Sequence, residues 1–262
     1  MKLNTELRSL DEMKSNLLAN VSHELHTPLV SIKGYTEMVL KRRLGPLTPE
    51  QERGLGVALK NIDRLIEMID NLLSFSRIEK GETQLHLEEI PLWQIVDEGI
   101  ELVGERIRKK SLSVTTQYET DELVVRGDRV KIGQVLVNLL TNAIKFNKEE
   151  GRITLTVRKG TKGFLEVEVA DTGVGIPEEA LDKIFERFYQ VDSSSRRKYE
   201  GSGIGLSIVR DILRLHGCTI RATSQAGIGS VFTFTLPLAR EQQVSASRNA
   251  PGRGRDQDPR TS

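Results

Sequence analysis

The sequence predicts an α+β protein of two domains, in which a long helical hairpin precedes a mixed α/β domain. The first observation is a stripe of apolar residues at three- and four-residue spacing, running from Leu7 to Leu73 with a break near Gly45. The second is a change after Gly81 to short alternating runs separated by helical stretches. A chain of 262 residues, 37% of them hydrophobic, is long enough for two such domains.

Residues 1–81 are predicted to form the two helices of the hairpin. The first ends near Gly45, and Thr48 and Gln51 form a capping box that starts the second, with Pro49 at its first helical position. Both apolar stripes are wide, and one hairpin buries too little surface to be stable alone. We therefore expect two hairpins to pair as a four-helix bundle in a homodimer.

Residues 82–240 are predicted to form the α/β domain. The predicted strands are Gln84–Leu87, Leu112–Tyr118, Leu123–Val125, Ile153–Val157, Phe164–Val169, Thr219–Thr223 and Ser230–Leu236. The predicted helices are Leu92–Lys110, Arg129–Phe146, Glu178–Phe185 and Ile204–His216. Asp192–Tyr199 is predicted to be a polar, mobile loop. Residues 241–262 have almost no apolar side chains and are predicted to be a disordered tail.

The first candidate chemical site is the octet Ser22–Leu29 within the first helix. The neutral imidazole of His23 is a nucleophile, Glu24 lies beside it, and Thr27 follows one turn later on the same face. Glu24 is suited to take a proton from either ring nitrogen, and Thr27 to orient a water for the reverse, hydrolytic step. Pro28 should bend the helix here because it lacks a backbone donor. A zinc site is disfavoured because H-E-x-x-H needs a second histidine where Thr27 stands.

A second candidate site is a polar face on the predicted helix Arg129–Phe146. Asn138, Asn142 and Lys145 follow one another at helical spacing and share this face. Two amide oxygens suit a Mg²⁺ whose other ligands are phosphates and waters, and Lys145 suits phosphate charge. On its own, such a face is more often simply solvated.

Two glycine-containing stretches complete the candidate residues. Asp171–Pro177 follows a predicted strand, where the Asp171 carboxylate is suited to accept from the exocyclic amino group of adenine. Gly173 and Gly175 allow close approach of the backbone to a planar ligand. Gly201–Leu206 leads into a helix whose first N–H groups suit phosphates. It does not follow a strand, so a Rossmann fold is disfavoured.

Taken together, these motifs resemble the boxes of sensor histidine kinases, in the same order along residues 10–239. The octet around His23 resembles the H box, and the N, G1, F and G2 boxes are matched by Asn138–Phe146, Asp171–Pro177, Phe185–Phe188 and Gly201–Leu206. The resemblance implies a dimerisation and phosphotransfer hairpin, followed by an ATP-binding α/β sandwich of the gyrase, chaperone and mismatch-repair type. It also implies autophosphorylation of His23 and transfer of the phosphoryl group to an aspartate of a response regulator.

The resemblance assigns specific roles to several candidate residues. It implies that Asp171 holds adenine, that Asn138 and Asn142 bind Mg²⁺, and that Arg187 reaches the γ-phosphate of ATP. The catalytic candidates are then His23, Glu24, Thr27 and Arg187. The candidates for nucleotide binding are Asn138, Asn142, Lys145, Phe146, Asp171, Gly173, Gly175, Ile176, Gly201, Gly203, Gly205 and Leu206.

Three positions depart from the family pattern, and none removes a required group. His26 replaces the usual arginine, Cys218 a glycine, and Asn147 a threonine or serine. His26 is disfavoured as a second phosphate acceptor because it lies on a different helix face from His23.

Composition limits the partners and the compartment. The formal charge of +1 comes with no strongly basic block, which disfavours nucleic acid. No apolar run is long enough to cross a membrane, so this segment is expected not to contact one, although a sensor region outside it could be membrane-bound. A single cysteine fits a reducing cytoplasm. We expect a cytoplasmic homodimer, or the cytoplasmic portion of a longer sensor, whose partner is a response regulator receiver domain.

Two other functions are compatible with the same motifs. ATP-hydrolysing machines of the superfamily carry a glutamate where this chain has Asn138, and without that base hydrolysis by water should be poor. The other function is that of a non-catalytic scaffold, or of a sensor in which phosphatase action dominates. All the expected groups are present, which argues against a scaffold but leaves the balance of kinase and phosphatase open. The sequence also leaves open whether each ATP domain serves its own His23 or its neighbour's.

Overall fold

The computed structural model describes residues 21–22, 24–79, 83–161, 163–191 and 203–239. His23, Gly201, the predicted loop Asp192–Tyr199 and the predicted tail 241–262 lie outside the described residues.

The helical hairpin predicted at the N-terminus is confirmed over the described residues. Helix α1 covers residues 24–40, the chain turns over residues 41–45, and helix α2 runs from Pro49 to Glu79. The predicted capping box starts α2, because the backbone N–H of Thr48 donates to Gln51 Oε1 at 2.8 Å and that of Gln51 donates to Thr48 Oγ1 at 3.2 Å.

The α/β domain contains three helices and seven strands among its described residues. The strands are β1 Glu88–Pro91, β2 Ser113–Tyr118, β3 Val124–Gly127, β4 Arg152–Lys159, β5 Phe164–Asp171, β6 Ile220–Gln225 and β7 Gly229–Pro237. The helices are α3 Leu92–Lys109, α4 Arg129–Lys145 and α5 Gly205–Leu215, and a single 3-10 turn covers Glu178–Ala180.

Five strands form one mixed sheet in the order β2-β4-β5-β7-β6. Strands β2 and β4 are parallel and the other neighbours are antiparallel, while β1 and β3 pair separately as an antiparallel ribbon. Strand β5 is therefore central. Its last residue, Asp171, pairs with Ile153 of β4 and Ser230 of β7, so this carboxylate lies at the end of the middle strand.

Helices α3, α4 and α5 share the hydrophobic core with the sheet. Alternate residues of β5 point inward, so Leu165, Val167 and Val169 are buried while Glu166 and Glu168 between them are not. The largest completely covered side chains include Leu136, Leu139, Ile208 and Phe234. This arrangement confirms the predicted α+β architecture with an α/β sandwich as its second domain.

Two predicted elements are wrong. Gln84–Leu87 is not a strand, because the ladder with β3 begins at Glu88, and the N–H of His86 donates instead to Asp128 Oδ2 at 3.0 Å. The predicted helix Glu178–Phe185 is limited to the 3-10 turn. That turn follows Pro177 without a side-chain cap, and so short a segment gains too little from further helical bonds.

No helix in the described part of the chain is both long enough and apolar enough to cross a membrane.

Candidate functional site

Helix α4 presents the predicted polar face of Asn138, Asn142 and Lys145. Its N-cap Asp128 accepts the N–H of Lys131 at 3.1 Å, and its apolar residues, among them Leu136 and Leu139, are buried in the core. Asn138, Asn142 and Lys145 are half-buried.

The side chain of Asn138 has a fixed direction. Its Nδ2 donates to the carbonyl of Gln134 one turn earlier at 3.0 Å, so Oδ1 points away from that bond. A β-carbon built on Gly205 would lie 3.0 Å from this Oδ1. The predicted N box therefore faces the first residue of α5, where the predicted G2 box becomes a helix.

The predicted G1 loop is attached to the end of α4. The N–H of Val174 donates to the carbonyl of Phe146 at 3.0 Å. Gly173 lies so close to the same carbonyl that a β-carbon there would overlap it. Lys145 Nζ lies 4.7 Å from the centre of the Phe146 ring, which brings its positive charge over the aromatic face.

Asp171 lies half-buried where β5 enters this loop. Its Oδ1 accepts the N–H of Gly173 at 2.8 Å. Burial raises the pKa of the Asp171 carboxyl above its ordinary value, and the backbone N–H groups of Gly173 and Ser230 act against that rise. A partly desolvated acceptor of this kind suits recognition of an amino group on a planar ligand.

The second half of the G1 loop rests on the turn between β6 and β7. Gly175 has φ +68, and a β-carbon there would overlap the carbonyl of Gln225. The N–H of Ile176 donates to Ser224 Oγ at 2.8 Å, and the N–H of Gly227 donates to the carbonyl of Val174 at 2.7 Å. The structure thus gives Gly175 and Ile176 backbone contacts that hold the loop in place.

The predicted F and G2 boxes also meet. The N–H of Phe188 donates to the carbonyl of Gly203 at 3.0 Å, and Gly203, at φ +71, has no room for a β-carbon beside Phe188 and Tyr189. The guanidinium of Arg187 pairs with Asp211 Oδ2 of α5 at 3.5 Å. Leu206, the next residue of the G2 box after Gly205, is half-buried in the first turn of α5.

Residues 24–29 of the H box lie on α1. Glu24 and Thr27 are exposed and His26 is half-buried. The structure therefore brings the nucleotide candidates that it describes together around α4, β5 and α5, and places Glu24 and Thr27 on a separate helix.

Asn147 has a function in this site that its residue type alone did not indicate. Its Nδ2 donates to the carbonyl of Arg152 at 3.1 Å, and its Oδ1 accepts from the N–H of Lys148 at 3.1 Å and from Thr172 Oγ1 at 3.2 Å. Asn147 is buried. The amide that stands where the family usually has threonine or serine supplies both the donor and the acceptor of these bonds. It links the end of α4 to β4 and to the G1 loop.

The side-chain oxygens at this site are suitable ligands for a magnesium ion that is held mainly by phosphates. Among the described residues, no three His, Cys, Asp or Glu side chains are grouped to bind a metal ion. Mg²⁺ commonly keeps several waters and takes only one or two protein ligands beside phosphate oxygens. The directed amide oxygen of Asn138, with Asn142 one turn further along α4, fits that requirement.

Both parts of the chain match known families. Residues 13–81 match the His Kinase A (phospho-acceptor) domain, and residues 127–240 match the histidine kinase-, DNA gyrase B- and HSP90-like ATPase family. The circadian input-output histidine kinase CikA of Synechococcus elongatus is 34% identical over 227 residues, covering 86% of this chain and 30% of that protein. Sensor histidine kinase WalK of Bacillus subtilis is 32% identical over 245 residues, covering 91% and 39%. The chain spans less than half the length of these curated relatives.

The chain is also similar to solved structures of histidine kinases. Full-length ShkA in complex with AMPPNP is 27% identical with a TM-score of 0.72, covering 86% of this chain and 47% of that one. The catalytic domain of histidine kinase ThkA is 34% identical with a TM-score of 0.52, covering 58% of this chain and 98% of that one. ThkA in complex with response regulator protein TrrA is 29% identical with a TM-score of 0.60, covering 90% and 64%. A phospho-acceptor hairpin followed by this ATPase fold places the chain in the sensor histidine kinase family.

Proposed function

We propose that this chain is a protein-histidine kinase that transfers the γ-phosphoryl group of ATP to His23 and then to an aspartate of a response regulator. The observation that carries the proposal is the convergence of Asn138, Asp171 and the start of α5 on one site, in a chain that also carries the phospho-acceptor hairpin. We divide the chain into the hairpin, residues 1–81, the ATP-binding domain, residues 82–240, and a tail, residues 241–262.

The nucleotide would be recognised at both ends. The ionised Asp171 carboxylate accepts from the adenine amino group, and the N–H groups at the start of α5 together with Lys145 meet the phosphates. Asn138 and Asn142 would hold Mg²⁺, which when bound neutralises phosphate charge. Arg187, which is paired with Asp211 of α5, is proposed to reach the γ-phosphate from the F box.

Phosphoryl transfer requires a nucleophile in a defined position. A ring nitrogen of His23 attacks the γ-phosphorus, the bond from that phosphorus to the bridging oxygen breaks, and ADP leaves. Glu24 takes the ring proton. Because α4 carries the neutral amide of Asn138, that position offers no base for water, and transfer to His23 is favoured over hydrolysis.

The proposed homodimer accounts for apolar side chains left uncovered on the hairpin. Leu25, Ile32, Tyr35 and Leu65 are 49%, 51%, 68% and 46% exposed in the single chain. A four-helix bundle made from two hairpins would cover such a surface. The complex of the related ThkA with a response regulator protein supports a receiver domain as the partner of this hairpin. We propose a cytoplasmic location, either for the protein or for this portion of a longer sensor.

The proposal is tested by incubating the full chain with γ-labelled ATP and Mg²⁺. A phosphoramidate on histidine is expected, so label should be retained in alkali and lost in acid. His23→Gln should abolish the label while ATP still binds, since the nucleophile is lost and the ATP-binding domain is intact. His26→Gln is the matched control and should retain the label. Equal labelling of His23→Gln and the unaltered chain would overturn the assignment.

A further inference from the structure

Lys110, which follows the last residue of α3, reaches across to the end of α4. Its Nζ donates to the carbonyls of Ile144 at 2.9 Å, Lys145 at 3.0 Å and Asn147 at 2.6 Å. An ammonium group has three N–H bonds, and each of these has an acceptor here. Lys110 is half-buried, so the bonds are partly shielded from water.

Two of these carbonyls, those of Ile144 and Lys145, belong to the last turn of α4, and Asn147 follows its C-cap Phe146. The last four carbonyls of an α-helix have no intrahelical donor, and they form the negative end of the helix dipole. Lys110 supplies both donors and a positive charge at this end of α4.

The carbonyl that Lys110 does not take is the one that holds the G1 loop. Phe146 lies between Lys145 and Asn147, and its carbonyl accepts the N–H of Val174 at 3.0 Å. Lys110 and the loop therefore bind neighbouring carbonyls of one short stretch. A shift in the end of α4 would move Lys145 and Phe146 together with the attachment point of the loop.

We propose that Lys110 is a positioning residue of the nucleotide site, which fixes the end of α4 and, through the Phe146 carbonyl, the loop that begins at Asp171. The inference rests on the proposed function, in that this site binds ATP and ADP. Lys110 acts through these main-chain groups and has no contact with nucleotide in the proposal.

The geometry requires lysine in particular. One tetrahedral nitrogen sends three N–H bonds toward three converging carbonyls, whereas the planar fork of arginine spreads its donors over separate nitrogens. Arginine at this position would keep the charge and lose the three-way contact. Lys110→Arg therefore separates directed bonds from simple attraction to the helix end.

The chain supplies a matched control in the preceding residue. Lys109 carries the same charge, but its Nζ pairs with Glu105 at 2.8 Å on the surface, where the two side chains are 74% and 73% exposed. Lys109→Met removes the same charge from the same end of α3 without touching α4.

The test compares the full chain with Lys110→Met, Lys110→Arg and Lys109→Met. ADP affinity is measured by calorimetry below the unfolding temperature of each variant, and the Val174 amide resonance is recorded without nucleotide. Lys110→Met and Lys110→Arg should weaken ADP binding about tenfold, because charge-assisted bonds are lost, and should shift the Val174 resonance. Lys109→Met should do neither.

The outcomes separate this inference from the proposed function. If Lys110→Met binds ADP as tightly as Lys109→Met and leaves the Val174 resonance unmoved, Lys110 is only a surface lysine. If Lys110→Met does not fold, Lys110→Arg decides by the same two readouts. If the unaltered chain binds no ADP, the proposed function fails first and the inference fails with it.

Discussion

The side-chain oxygen of Asn138 faces Gly205 across the gap between α4 and α5, and a β-carbon on Gly205 would lie 3.0 Å from it. The other end of the amide is held by the carbonyl of Gln134 at 3.0 Å, so the oxygen has little freedom to turn away. The proposed magnesium ligand and the proposed phosphate-binding helix start therefore share one small space.

Gly205→Ala should weaken ADP binding in the presence of Mg²⁺ and have little effect without it. The added methyl group pushes the Asn138 oxygen from its position. The measurement is calorimetry with and without Mg²⁺. Gly133→Ala on α4 is the control, because its β-carbon would meet only Ile95 Cγ2 at an ordinary 3.9 Å. Equal losses with and without Mg²⁺ would argue against the metal role of Asn138.

Gly175→Ala should destabilise the α/β domain more than Gly227→Ala. Both glycines have positive φ, +68 and +82, so either substitution carries a left-handed penalty of about 1–2 kcal/mol. A β-carbon at Gly175 would also overlap the backbone at Gln225, whereas at Gly227 nothing lies within 4 Å. Urea unfolding of the two variants measures the difference. If they unfold alike, the contact between the G1 loop and the β6–β7 turn is not a constraint.

Asp171 should make ADP binding depend on pH. Burial raises the pKa of this carboxyl, against the effect of the Gly173 and Ser230 N–H groups, so it takes up a proton at a higher pH than an ordinary aspartate. The ionised carboxylate is the stronger acceptor for the adenine amino group, and affinity should therefore fall as pH is lowered through that range. Asp171→Asn should lose about 1–3 kcal/mol of binding free energy and this pH dependence. A titration in which both proteins show the same pH profile would refute the assignment.

The same carboxyl has the opposite effect on folding. A pKa raised in the folded state means that protonated Asp171 favours the fold, so its contribution is present at low pH and is lost as pH rises through the folded-state pKa. As pH is lowered through the range in which ADP affinity falls, this group should increase the stability of the nucleotide-free protein. Thermal unfolding of the unaltered chain and of Asp171→Asn across that range checks the sign.

Local sequence patterns predicted much of the fold, and contacts between distant residues account for what they missed. The start of α2 was predictable because Thr48 and Gln51 are three residues apart. The strand predicted over Gln84–Leu87 was wrong because the N–H of His86 bonds to Asp128, which lies 42 residues away. Alternation shows that a segment can form a strand but does not identify its partner.

In the candidate site too, local patterns predicted some residues, and contacts between distant residues account for those that were missed. Asn138 and Asn142 were predictable because helical spacing alone puts them on one face. The bonds of Lys110 to the end of α4 span 34 to 37 residues, and no motif marks them. The contact of Gly175 with Gln225 likewise depends on how β5 and the β6–β7 turn meet.

The last prediction separates the two directions of the proposed chemistry. Thr27 is exposed on α1, one turn after His23, and is proposed to orient the water that removes phosphate from a docked regulator, a step that autophosphorylation does not use. Thr27→Ala should therefore keep the label from ATP and lose phosphatase action, since alanine is the better helix former and the helix is preserved. Ser31→Ala, also exposed and one turn further from His23, is the control and should keep both activities. If Thr27→Ala dephosphorylates a phosphorylated receiver domain as fast as the unaltered chain, Thr27 is structural. If its labelling collapses too, the division of work between Glu24 and Thr27 is wrong.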